Sequence, residues 1–173
     1  DHRDLHLSLR RQRQMCIRDR PGVTGEVVIK GGNVTLGYED NPEANESCFT
    51  NGWFRTGDQG VMDSGGYLRL VGRLKEIIIR SGENISPREI DETLLAHPAV
   101  TEAVAFAVPN STHGEEPSAA VVVSVPIKAS ELVAFCREHL ASYKCPKIIH
   151  IVDEIPRTAT GKIQRRMVSA SLA

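Results

Sequence analysis

The chain has 173 residues, 21 Lys plus Arg against 22 Asp plus Glu, and a formal net charge of −1 at pH 7. That length suffices for one large or two small cores, and the near-neutral charge implies no general attraction to nucleic acid or to an anionic membrane. Cys16, Cys48, Cys136 and Cys145 form no C-x-x-C pair and match no zinc spacing, no apolar run reaches membrane-spanning length, and the reading is a soluble intracellular chain with free thiols.

Residues 1–20 hold six arginines and no Gly or Pro. Nothing in them repeats at helical period. They read as a non-native or disordered arm and are set aside from fold reasoning, so that the chain is expected to start in the middle of a larger protein.

From Pro21 to Leu74 the punctuation is that of a β-rich segment. Val27-Val28-Ile29 reads as a strand between Gly25 and the Gly31-Gly32 turn. Asn41-Pro42-Glu43 reads as a helix start, with Asn as the cap and Pro at the first helical position. Val61-Met62 and Tyr67 to Val71, separated by Ser64-Gly65-Gly66, read as a hairpin.

Residues 75–173 read as a small α+β unit. Ile77-Ile78-Ile79 is a strand that Ser81-Gly82-Glu83-Asn84 turns. Ser86-Pro87-Arg88-Glu89 has the spacing of a capping box, opening a helix that carries Ile90, Leu94 and Leu95 inward and stops at His97-Pro98. Val100 to Val108 and Ala119 to Val125 are strands, with His113 in an exposed loop between them. Ser130 is the expected cap of a helix bearing Leu132, Phe135, Cys136 and Leu140, and Ile148 to Val152 is the last strand. Lys144, Lys147, Arg165 and Arg166 read as solvated surface or as a basic rim.

Three stretches carry chemistry. In Pro156-Arg157-Thr158-Ala159-Thr160-Gly161-Lys162-Ile163, small and hydroxyl residues surround one lysine, whose compact ammonium on a flexible stem suits negatively charged oxygens. A solvated turn is the other reading. In Gly52-Trp53-Phe54-Arg55-Thr56-Gly57-Asp58-Gln59-Gly60, Asp58 is a carboxylate at the end of an aromatic strand. It is either a ligand group approached past glycines or an Asx-turn aspartate. The third is Gly72-Arg73-Leu74-Lys75-Glu76-Ile77-Ile78-Ile79-Arg80-Ser81-Gly82-Glu83-Asn84-Ile85-Ser86-Pro87-Arg88-Glu89-Ile90.

In that order the three motifs resemble the adenylate-forming superfamily, which includes acyl-CoA and aryl-CoA ligases, luciferases and peptide-synthetase adenylation domains. The resemblance covers about residues 22–172. It implies an α+β chain: residues 21–74 close a large, β-rich AMP-binding domain, and residues 75–173 form the small mobile C-terminal domain, a mixed sheet flanked by helices. It implies that Asp58 holds the vicinal hydroxyls of ribose. Arg73 becomes a hydrogen-bond fork toward ribose or phosphate, Lys75 a hinge, and Lys162 the catalytic residue. The turn at Gly82 would line the pantetheine tunnel, with Asn84 beside it. ATP, magnesium and CoA are the implied cofactors. No histidine and carboxylate spacing suggests a protein-held metal.

The stretches Asn33-Val34-Thr35-Leu36-Gly37-Tyr38, Asn41-Pro42-Glu43-Ala44-Asn45 and Gly161-Lys162-Ile163-Gln164-Arg165-Arg166 look closest to oxalate–CoA ligases, so a small carboxylic acid, oxalate first, is the expected substrate. Medium-chain or aryl acids, a carrier-protein-loading module and a catalytically silent binding domain are the alternatives. The superfamily's Ser/Thr/Gly-rich phosphate loop and its acyl pocket have no counterpart here, and the link from Val125 to Ser130 is short. The piece is therefore expected to be inactive alone. Cytosol is the expected compartment, with the peroxisome second.

Overall fold

The computed structural model describes residues 21–172, so the expectation for residues 1–20 lies outside the described residues. The chain divides into two compact units, one ending at Lys75 and the other starting at Glu76.

The first unit is built around one long strand. β1 (Thr24–Ile29) runs antiparallel to β3 (Trp53–Met62) along one edge. The short β2 (Phe49–Thr50) and then β4 (Leu68–Arg73) pair with successive halves of the other edge. α1 (Pro42–Cys48) starts where the Asn-Pro pair predicts, and the Asn41 side chain accepts a hydrogen bond of 3.0 Å from the Ala44 N–H. That bond satisfies one of the helix's free donors. The β3–β4 hairpin is closed by Asp63, whose carboxylate accepts from the Tyr67 N–H at 2.9 Å. Among the described residues of this unit the buried hydrophobics are Val27, Val28 and Trp53, while Leu36, Tyr67 and Leu70 are exposed.

The second unit has the α+β architecture expected from the sequence. β5 (Ile78–Arg80) and β6 (Glu83–Ile85) form an antiparallel hairpin. β7 (Val100–Asn110) and β8 (Gly114–Val123) form a long antiparallel ribbon, and β9 (Ile148–Ile151) runs parallel to β8, which makes the sheet mixed. β8 is covered on both faces. Ala119 and Val121 join one core with Ile90 and Leu94 of α2 (Pro87–Leu95) and Leu132 and Cys136 of α3 (Ala129–His139). Ala120 points the other way, into a second core with Val104, Phe106 and Val168 of α4 (Arg165–Leu172). Alternate residues of a strand face opposite sides, and a strand buried on both faces reads as a continuous apolar run, as Ala119 to Val123 does. Each large side chain buried here contributes about 1.5–3 kcal/mol.

Several local expectations are corrected. No side-chain cap hydrogen bond forms at Ser86. The Glu89 carboxylate that would complete the box instead binds the Lys144 ammonium through both oxygens at 2.8 Å, a charged partner outcompeting a backbone N–H. Leu95 is exposed because it falls off the Ile90–Leu94 stripe. The N-cap position of α3 is Lys128, not Ser130, and the helix starts two residues earlier than a Ser130 cap would place it, at Ala129, with no side-chain cap hydrogen bond. The turn between β7 and β8 takes in only Ser111 to His113. Register pairing, Pro109 with Glu115 and Ala107 with Pro117, carries the ladder through residues that look loop-like in sequence. Cys48, Cys136 and Cys145 are free thiols, and burial pushes Cys136 up to about 11. Among the described residues no helix is long and apolar enough to cross a membrane.

Candidate functional site

In the first unit the structure brings Asp58 and Arg73 together. They are direct register partners across β3 and β4, and Arg73 Nε donates to Asp58 Oδ1 at 3.0 Å. The approach to Asp58 is set by the two residues before it. Gly57 has φ +70° with no atom near the position of a Cβ, so the backbone conformation, not crowding, calls for glycine there. Thr56 Oγ1 donates to the Val27 carbonyl at 2.7 Å and accepts from the Asp58 N–H at 3.1 Å. The carboxylate therefore sits on a strand bent and pinned just ahead of it. Asp58 Oδ2 and the two terminal nitrogens of Arg73 make no hydrogen bond among the described residues, and the Arg73 side chain is 66% exposed. One acceptor oxygen and a fork of donors are thus left for a ligand carrying hydroxyls and phosphate.

Lys75 is exposed in a 3-10 turn, Leu74–Glu76. Farther on, Ser81 (φ 50°) and Gly82 (φ 86°) make the two-residue turn between β5 and β6. Two consecutive positive φ values are those of the turn that suits a twisted hairpin. Glu83 and Asn84 were expected in that turn but belong to the returning strand, with Asn84 opposite Ile79 and exposed.

Lys162 closes a tight loop. The Thr158 N–H donates to the Lys162 carbonyl at 2.9 Å, the Gly161 N–H to the Thr158 carbonyl at 2.8 Å, and the Lys162 N–H to Thr158 Oγ1 at 3.1 Å. Arg157 and Ile163 form a bridge across the base of the loop. These bonds hold the loop closed, while the Lys162 side chain is exposed and has no ion pair among the described residues. An unpaired ammonium held on a closed turn can meet an incoming anion without first breaking a bond.

The neighbouring cations behave differently. Arg157 Nη2 binds Glu102 Oε2 of β7 at 2.6 Å. Arg165 departs furthest from the basic rim expected of it. Its Nη1 and Nη2 bind the two oxygens of Asp91 at 3.1 and 2.6 Å, its Nε binds Glu76 Oε2 at 2.9 Å, and Nη1 also binds the Ala105 carbonyl at 2.8 Å. Asp91 in turn accepts from the Ala105 N–H at 2.6 Å. Burial pushes the Asp91 carboxyl upward, and the contacts with Arg165 and Ala105 oppose that shift. Lys147 is likewise engaged, 2.6 Å from the buried Glu116, which also contacts Arg80 at 3.5 Å. These cations hold Glu116 below the usual carboxylate range. Sequence reasoning missed Asp91, Glu76 and Arg157 because their partners lie 55 to 89 residues away. The one local signal was an arginine in the first turn of a helix, where the macrodipole disfavours a cation and an acidic partner is therefore to be sought.

Among the described residues no three His, Cys, Asp or Glu side chains gather to hold a metal ion.

Residues 89–162 match the AMP-binding enzyme C-terminal domain, ending on the lysine of the closed loop. The chain is 52% identical over 151 residues to the oxalate–CoA ligase of Arabidopsis thaliana, covering 86% of this chain and 29% of that protein. It is also 52% identical over 157 residues to the oxalate–CoA ligase of Saccharomyces cerevisiae, covering 88% of this chain and 29% of that one. The fold matches o-succinylbenzoate CoA synthetase from Bacillus subtilis in complex with an acyl-adenylate intermediate, with TM-score 0.81 and 40% identity over 86% of this chain and 31% of that one. The same enzyme in complex with ATP and magnesium matches with TM-score 0.80 and 40% identity, over 86% of this chain and 31% of that one. The chain thus spans about 30% of the length of the relatives it matches. On the match that ends at Lys162 and these likenesses, residues 89–162 form an AMP-binding enzyme C-terminal domain.

Proposed function

We propose that the chain is the C-terminal part of an ATP-dependent acid–CoA ligase, with residues 21–74 closing its large domain and residues 75–173 forming its mobile one. The observation that carries this reading is the exposed, unpaired Lys162 on a closed loop at the end of the matched domain. In the reaction a carboxylate attacks the α-phosphorus of ATP, a bond to pyrophosphate breaks, and an acyl-adenylate forms. The CoA thiol then displaces AMP to give the thioester. Magnesium, entering with ATP, neutralises the phosphate oxygens.

Each residue has a part in this. Lys162 places its ammonium between the incoming carboxylate and the α-phosphate, offsetting their repulsion and the charge of the transition state. Asp58 accepts from the ribose hydroxyls, and Arg73 orients Asp58 while presenting donors to the nucleotide. Lys75 marks the turn about which the second unit reorients between the two steps. The Gly82 turn, with Asn84 beside it, then lines the path of the pantetheine arm. Oxalate is the proposed acid, supported by the likeness to two oxalate–CoA ligases, and cytosol the proposed compartment.

The test uses the full-length protein that carries this chain. Lys162→Ala is expected to lower ATP–pyrophosphate exchange by about 10²–10³-fold, while thioester formation from supplied acyl-adenylate and CoA persists. Unchanged exchange would refute the catalytic role. In a panel of acids, oxalate is expected to show the highest kcat/KM; a larger value for a medium-chain or aryl acid would remove oxalate and leave the ligase.

A further inference from the structure

We propose that Arg165 is a positioning residue for Lys162, fixing the lysine loop to the opening residue of the second unit so that the two move as one piece. The inference rests on the proposed role of Lys162.

The lysine loop is anchored at both ends by arginines. Ahead of it, Arg157 ties the loop to Glu102 of β7 and, through Nη1, to the Gly161 carbonyl at 3.3 Å. Behind it, three residues past Lys162, Arg165 gathers groups from three places: Glu76, next to Lys75; Asp91 of α2; and the Ala105 carbonyl of β7. Ile163, between the lysine and Arg165, packs on the second core. The loop's internal bonds fix its shape, but they do not fix where that shape sits on the domain. The two arginines do.

The chemistry explains why arginine and not lysine serves here. A planar guanidinium presents several donors in fixed directions, enough for a carboxylate held by two bonds, a second carboxylate and a carbonyl at once. An ammonium of similar reach would leave some of these acceptors without a partner. A burden of this size on one side chain, in a helix that starts directly after the lysine loop, suits a part whose position has to be kept. A displacement of about 1 Å at a catalytic group is enough to cost on the order of a hundredfold in rate.

Glu76 separates this role from general stability, since it is the outermost arm of the network (37% exposed) and its loss leaves the Asp91–Arg165 pair intact. In the full-length protein, Glu76→Gln is expected to lower kcat for ATP–pyrophosphate exchange about tenfold or more. The KM for ATP, thioester formation from supplied acyl-adenylate and the thermal midpoint are expected to stay near their original values. Arg165→Lys is expected to act in the same direction and more strongly. In a Lys162→Ala background, Glu76→Gln is expected to have no further effect on exchange, because its influence runs through that lysine. The proposal is overturned if a folded Glu76→Gln protein exchanges at the original rate, if both half-reactions fall equally, or if its effect persists without Lys162. Should Arg165→Lys fail to fold, Glu76→Gln still decides. If Lys162→Ala itself leaves exchange unchanged, the proposed function falls first. If only Lys162→Ala has an effect, the positioning role falls alone.

Discussion

Asp58 and Arg73 in the first unit meet through one contact of 3.0 Å, with side chains 28% and 66% exposed, whereas Asp91 and Arg165 in the second share two contacts of 3.1 and 2.6 Å with side chains 13% and 19% exposed. The residue types are the same and the consequences differ. An exposed pair is solvated with or without its partner and is worth about 0–1 kcal/mol. It therefore leaves donors and an acceptor to offer a ligand. A buried pair has given up its water, so each member depends on the other, and removing one strands a charge. The first pair is proposed to bind a ligand, the second to hold a neighbouring loop in place.

Four measurements would break or sharpen that contrast. The largest effect is expected from Asp91→Ala, which leaves Arg165 without its two-bonded partner and should cost about 3–5 kcal/mol, read from hydrogen exchange of β7 and β8 amides. A loss under about 1 kcal/mol would put this pair in the same class as the exposed one. Next comes Gly57→Ala. Its left-handed φ should cost about 1–2 kcal/mol and, by shifting Asp58, should raise the KM for ATP in the full-length protein; a neutral outcome would show that the strand accepts another bend.

A smaller, pH-dependent effect belongs to Glu116, a buried carboxylate paired with Lys147 and Arg80. Its folded-state affinity for a proton lies below the ordinary value of 4.5, so its contribution is present above that pH and is lost as pH falls through the lowered folded value. Urea titrations from pH 7 to pH 3 should show that loss, and Glu116→Gln should reduce the slope; identical slopes would exclude Glu116 as its source. The smallest effect on stability, within about 1 kcal/mol, is expected from Arg73→Ala, together with weaker nucleotide binding in the full-length protein. A stability loss matching that of Asp91→Ala would erase the distinction.

What the sequence revealed followed the range of its signals. The Asn41-Pro42 start, the Val27-Val28-Ile29 strand and the hairpin around Ser64 to Gly66 rest on interactions within a few residues, and all are present. The Ser86 box has the correct spacing, yet Glu89 found a lysine 55 residues away. Local spacing says nothing about distant competitors. Leu95 is apolar but lies just outside the stripe that Ile90 and Leu94 define. Among the site residues, the motif around Asp58 is visible in sequence, but its pairing with Arg73 requires the register of β3 and β4. Arg165 reads in sequence as solvated surface or basic rim because arginine usually is, and the four acceptor atoms it meets belong to residues 76, 91 and 105.

The separation of 89 positions between Glu76 and Arg165 also sets an order of events in folding. A contact between groups so far apart in sequence forms only after the loop between them has closed, at an entropic cost that nearer contacts must first offset. The β7–β8 ribbon and the two helices on its one face can assemble from neighbours, whereas α4 must wait for a finished surface on which to dock. During synthesis the lysine loop would thus emerge onto a domain already largely built, and it would acquire its fixed position last.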